Sequence, residues 1–97
     1  MSDTVEVRNV NHPDSVKRVN RAKYDAMRTA LLDALPKGAP GVSVADALAA
    51  LRPHLPDDLF PDGATSGWWQ KTVQLDLEAR GEVAREPGRP LRIHRTE

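Results

Sequence analysis

From Gly67 to Val83 the chain reads Gly-Trp-Trp-Gln-Lys-Thr-Val-Gln-Leu-Asp-Leu-Glu-Ala-Arg-Gly-Glu-Val, a helix-length run without proline that stops at a glycine and passes at once into residues of strand character. Gly81 suits the left-handed position that closes many helices. Beyond it, Val83 and then Leu91 and Ile93 alternate with charged residues as strands do, and Pro87-Gly88-Arg89-Pro90 supplies a turn between them. A helix feeding directly into a hairpin leaves few ways to arrange the rest of a short chain.

That helix is expected to start at Thr65 or Ser66, either of which can cap it, and to run to Arg80. At about 100° per residue, Trp68, Trp69, Thr72, Val73, Leu75, Leu77 and Ala79 cover more than half its circumference. Only Gln70, Lys71, Gln74 and Glu78 then form an outer polar stripe, as on a helix packed between other helices and a sheet. Asp76 falls inside the apolar arc. An unpaired buried carboxylate is too costly to keep, so Asp76 is expected to meet an Arg, a Lys or an indole N–H.

Upstream, Asn20 is an expected N-cap, and Tyr24, Met27, Leu31, Ala34 and Leu35 recur at helical spacing opposite Arg21, Asp25, Thr29 and Asp33. Pro36 and Gly38 end this first helix. Ser43-Val44-Ala45-Asp46 resembles a capping box, and Val44, Ala47, Leu48 and Leu51 stripe a second helix that Pro53 stops. The stretch from Pro53 to Thr65 is long for a helix-turn-helix connection, with Leu55, Leu59 and Phe60 expected to pin it to the core. Residues 1–19, where Val5 and Val7 alternate and Asn11-His12-Pro13-Asp14 signals a turn, read as an N-terminal arm or edge strand, and residues 20–97 as the domain proper.

A chain of 97 residues with 39% hydrophobic side chains supports one core and little apolar surface for a deep pocket. The absence of cysteine removes disulfides, thiolate zinc sites and thiol nucleophiles, and fits a reducing cytoplasm. Met1-Ser2-Asp3-Thr4-Val5-Glu6 has neither the basic start nor the apolar run of a secretory signal, and no stretch approaches membrane-spanning length. A cytoplasmic protein without membrane attachment is expected. The formal charge of +0 lacks the basic excess usual in DNA-binding modules, but charge is segregated: Lys17, Arg18, Arg21, Lys23 and Arg28 cluster, as do Arg85, Arg89, Arg92 and Arg95.

Taken together, Ser43 to Leu51, the Trp69-to-Gly81 helix and the Glu82-to-Arg95 hairpin resemble a winged helix-turn-helix domain, an α+β fold with three main helices and a C-terminal β-hairpin wing. Val73, Leu77, Glu78, Arg80 and Gly81 carry the helix-end pattern of that superfamily, from which Leu75 and Asp76 depart. Asn11-His12-Pro13, Gly67-Trp68-Trp69 and Gln74 to Ala79 are also similar to a small bacterial family of uncharacterised proteins, a likeness that brings no activity with it.

The resemblance implies a DNA-binding or transcription-regulating module, with double-stranded DNA as partner. Gln70 and Gln74 would then pair with adenine edges, Lys71 with phosphate or guanine, and Arg85, Arg89 and Arg92 would lie on the wing. Gly88-Arg89-Pro90 matches the core of a minor-groove hook without its flanking basic residues, and a turn needing Gly and Pro for its backbone geometry is the first reading of the same residues. The alternative is a protein-protein interaction module on the same scaffold, binding a protein partner or a second copy, with the neutral charge and Glu78 in its favour. Trp68-Trp69 reads first as core packing and second as a base-stacking platform. His12, His54 and His94 lie far apart without ligand spacing, and Ser15, Ser43 and Ser66 lack a nucleophile-elbow setting. No metal, cofactor or enzymatic activity is expected.

Overall fold

Asn20 ends one element and begins the next: it is the last residue of a strand, and its side chain accepts the Lys23 amide at 3.0 Å to start a helix. The computed structural model describes residues 3–12, 14, 16–86, 88 and 91–96. In chain order these form strands β1 (Thr4–Arg8) and β2 (Val16–Asn20), helix α1 (Arg21–Ala34), strand β3 (Val42–Ser43), helix α2 (Val44–Leu51), helix α3 (Ser66–Ala79), and strands β4 (Val83–Glu86) and β5 (Arg92–Arg95). Short 3-10 turns at Arg52–His54 and Pro61–Gly63 fill the long α2–α3 connection. The result is an α+β fold of three helices and two small antiparallel sheets.

Local chemistry accounts for most boundaries. Ser43 Oγ accepts the Asp46 amide at 3.1 Å to cap α2, and Pro53 sits in the tighter turn that ends it. At the far end of α3, Gly81 adopts φ 81°, its amide reaches the Glu78 carbonyl, and the Glu82 amide bonds back to the Leu77 carbonyl at 2.9 Å. This paired closure is the Schellman arrangement, which turns the chain sharply into β4. The start of α3 differs from expectation. Thr65 is in the left-handed region with φ 59°, and its hydroxyl bonds the Ala64 carbonyl instead of capping the helix.

The C-terminal strands do not form an isolated hairpin. β5 is central, paired with β4 on one side (Arg85 opposite Ile93) and with β3 on the other (Val42 opposite Ile93). Gly41 makes the β3 approach feasible, because a Cβ there would lie 2.3 Å from the Ile93 carbonyl oxygen. The turn residues Pro87, Arg89 and Pro90 lie outside the described residues. β5 is tied to the end of α1 as well, where the Arg95 amide donates to the Pro36 carbonyl and its guanidinium to the Leu35 carbonyl at 3.1 Å.

Residues 4–8 and 16–20 pair with each other as a β1–β2 hairpin, with Val5 opposite Val19 and Val7 opposite Lys17. Val7 and Val19 face inward and join a core of Met27, Leu31, Leu51, Val73, Leu77 and Ile93, all fully buried, with Phe60 closing it from the α2–α3 connection. Leu55 and Leu59 pack against the same core, as expected for the apolar residues of this connection.

Candidate functional site

α3 lies against both sheets, so its rotation decides what the molecule shows to a partner. Its buried residues are Ser66, Trp69, Gln70, Val73, Gln74, Asp76 and Leu77, which at about 100° per residue form one continuous arc. The face left open carries Trp68, Lys71, Thr72, Leu75 and Ala79. The outer stripe of Gln70, Lys71, Gln74 and Glu78 expected from the sequence is therefore corrected by roughly a quarter turn. Only Lys71 of that stripe is exposed; Gln70 is 2% and Gln74 5% exposed.

The two glutamines can be buried because their hydrogen bonds close on neighbours one turn away. Gln70 Nε2 donates to Gln74 Oε1 at 2.8 Å, and Gln74 Nε2 donates to Glu78 Oε2 at 3.3 Å. Glu78, whose side chain is 4% exposed, is in turn gripped by the Arg85 guanidinium of β4, with Nη2 at 2.8 Å from Oε2 and Nε donating to Oε1. A polar ladder thus runs from Gln70 to Glu78, along the C-terminal two turns of α3, and ends in an ion pair to the sheet. The hydrogen bond to Glu78 raises the Arg85 pKa further above its ordinary value. Arg85 is committed to this contact, whereas Arg92 is exposed at the start of β5 and Arg89 lies outside the described residues.

Asp76 occupies the opposite flank of the same helix and is fully buried. Its carboxylate accepts the Arg80 Nε at 2.9 and 3.0 Å, the Tyr24 hydroxyl, and the backbone amide of Arg8 at 2.8 Å. The expected arginine partner is thus present, with a phenol and a strand amide besides. Arg80 also donates to the Glu6 carbonyl at 3.2 Å. Asp76 and Arg80 together therefore do for the outer edge of β1 what another strand would do, accepting one amide and donating to one carbonyl. Burial first, and then the bond to Asp76, push the Tyr24 phenol well above its ordinary pKa. Among the described residues no buried side-chain nitrogen or oxygen lacks a partner.

Trp69 is buried edge-to-face against Phe60 at 6.3 Å, in keeping with a core role. Trp68 is not in the core. It is 50% exposed, packs its edge on Trp69 at 5.1 Å, and lies under the Lys17 ammonium of β2 at 5.5 Å. A shallow seam follows the line where α3 meets the hairpin, and Lys17, which stands over Trp68, lines it. Val7, Lys17, Thr72 and Leu75 line one hollow of ≈ 110 Å³; Val10 and Ala79 line the next, of ≈ 190 Å³; and Arg8 and Asn9 line both. No carboxylate borders either.

Sequence reasoning placed Trp68 and Leu75 in the apolar arc, whereas Trp68 is exposed and Leu75 part-exposed, and it did not bring Lys17 to Trp68. The usable signal was the repeat of hydrogen-bonding side chains at Gln70, Gln74 and Glu78. Groups spaced by four residues can satisfy one another and so withdraw from solvent. A larger groove of ≈ 700 Å³ between α1 and the end of α2 is floored by alanines and edged by Asp25, Thr29, Asp33 and His54. Among the described residues no group of three His, Asp or Glu side chains is placed to hold a metal ion, and no helix is long and apolar enough to cross a membrane.

The family model described as "Family of unknown function (DUF6958)" matches residues 4–93, from the first strand into the last. The chain belongs to this family. The matched span takes in the β1–β2 hairpin together with the three helices and the C-terminal sheet. Comparison with curated proteins and with solved structures finds no match.

Proposed function

We propose that this member of the family is a recognition module on a winged-helix scaffold, and that its partner is a protein. The scaffold reading is supported by the order α1, β3, α2, α3, β4, β5, in which two helices precede a third that turns directly into a strand pair. The β1–β2 hairpin and the pairing of β3 with β5 extend the three-helix-and-hairpin plan.

One observation carries the choice of partner. α3 holds its hydrogen-bonding side chains, Gln70 and Gln74, inside the molecule and carries a half-exposed tryptophan and a part-exposed leucine on its open face. Base edges are read by polar side chains free to form bidentate hydrogen bonds, whereas protein interfaces are anchored by aromatic side chains such as tryptophan. The hairpin packed beside α3 also thickens the element that a major groove about 12 Å wide would have to admit. To test this, a photo-crosslinking residue is placed at Leu75 and, as a control, at exposed Asp33, in cells that make the protein. Discrete protein adducts from position 75 alone are expected. Equal adducts from both positions, or adducts to nucleic acid, would contradict the reading.

A DNA-binding or transcription-regulating module is the second reading, favoured by the exposure of Lys71 and Arg92 and by the lack of any carboxylate on the outer face of α3. It predicts binding to random duplex DNA that weakens steeply with salt. The protein-recognition reading predicts no such binding even at low salt.

A further inference from the structure

The seam between α3 and the hairpin has a definite chemistry. Leu75 and Val10 line it, and Trp68 adjoins it through Lys17, which lines the first hollow and stands over the indole; Trp68 and Val10 are two of the three large hydrophobic side chains exposed among the described residues. The charged groups beside it are cations. Lys17 stands over Trp68, and Lys71 is exposed one turn further along the same helix. The nearest carboxylate on α3, Glu78, is 4% exposed and neutralised by Arg85, while Asp76 is sealed beneath by Tyr24, Arg80 and the Arg8 amide. The acidic residues of the helices are elsewhere, with Asp25 and Asp33 on the groove between α1 and α2.

From Trp68 to Ala79 the open face of α3 beside the seam is roughly 16 Å long at 1.5 Å per residue, about three turns of helix. An apolar strip of that length bordered by lysines is complementary to a short amphipathic helix whose polar side is acidic. We propose that the outer face of α3 and its seam with β1–β2 dock an acidic amphipathic helix of a partner protein, its apolar side on Trp68 and Leu75 and its carboxylates opposite Lys17 and Lys71. This inference rests on the protein-recognition reading above and adds the charge of the partner.

Fluorescence supplies the test, because Trp69 is buried and a change at the surface reports on Trp68. The intact protein is titrated with a helical peptide carrying leucines at i, i+3, i+4 and i+7 and glutamates elsewhere, with the same peptide bearing lysines for glutamates, and with random duplex DNA. The acidic peptide is expected to shift the emission to the blue with saturation. The basic peptide and the DNA are expected to leave it unchanged. Trp68→Ala should abolish acidic-peptide binding measured by calorimetry. Lys17→Gln with Lys71→Gln should weaken it about tenfold, as the loss of two exposed ion pairs implies. Circular dichroism establishes that both variants remain folded.

Equal binding of both peptides would overturn the charge assignment while leaving a protein-docking face. A response to DNA alone would overturn both the inference and the reading beneath it. A blue shift on concentrating the protein without any peptide would show that a second copy fills the seam, and would likewise overturn the proposal. No response to the acidic peptide would end the proposal outright.

Discussion

The two flanks of α3 both bury polar groups, yet they are built on different principles. On the hairpin side, Asp76 draws its partners from across the chain: a phenol on α1, a backbone amide on β1 and an arginine one turn away. On the sheet side, Gln70, Gln74 and Glu78 satisfy one another along the helix, and only Arg85 reaches in from another element. The first arrangement holds separate elements together. The second mainly spares the helix from unpaired polar groups, and its members are the more replaceable.

This contrast is most exposed to refutation at Asp76. Asp76→Ala leaves the Tyr24 hydroxyl and the Arg8 amide without their acceptor and frees the hairpin from α3, and is expected to cost about 3 kcal/mol in urea unfolding. A loss below about 1 kcal/mol would show that the cluster is incidental.

Tyr24→Phe removes a single hydrogen bond to a charged group and should cost about 2 kcal/mol. The same residue gives the cluster a pH signature. The folded phenol titrates above its ordinary value of 10.0, whereas the unfolded one titrates at that value, so its contribution is fully present below pH 10.0 and declines as the pH rises beyond it toward the folded pKa. Since the chain has one tyrosine, phenolate absorbance reports it without overlap. Thermal midpoints of the natural protein should fall above pH 10.0 more steeply than those of Tyr24→Phe.

On the sheet side the effects should be smaller and strongly non-additive. Gln74→Leu strands Gln70 and is expected to cost about 1 kcal/mol, while Gln70→Leu with Gln74→Leu should cost less than the sum of the two single changes, because both ends of that bond leave together. Full additivity would mean that the ladder bond contributes nothing. Trp68→Ala should change stability least of all, by less than about 1 kcal/mol, although the same substitution is expected to remove partner binding.

Much of the architecture is legible in the residues. The Asn20 and Ser43 caps, the stripe of Tyr24, Met27 and Leu31, and the Gly81 closure with strand alternation after it all act locally and appear where the sequence puts them. The pairing of β3 with β5 was hidden, because two residues beside a loop carry no periodic signal. The rotation of α3 was hidden for a different reason. Apolar residues cover more than half of the helix, and polarity alone argues that the glutamines between them face water. What decides the matter is whether each amide finds a partner, and four-residue spacing provided one for Gln70 and Gln74. Asp76 was legible as an anomaly with an arginine partner, but its link to Tyr24 spans 52 positions and has no local trace.

The proposed docking face depends on which side of α3 meets solvent, and a chain without cysteine permits a direct measurement. Single replacements Gln70→Cys, Lys71→Cys, Gln74→Cys and Leu75→Cys, each reacted with a thiol reagent under native conditions, give a labelling rate for each position. Rapid labelling at 71 and 75 with strong protection at 70 and 74 is the predicted result. Rapid labelling at 70 and 74 with protection at 75 would restore the glutamine stripe to the surface and contradict the proposed docking face.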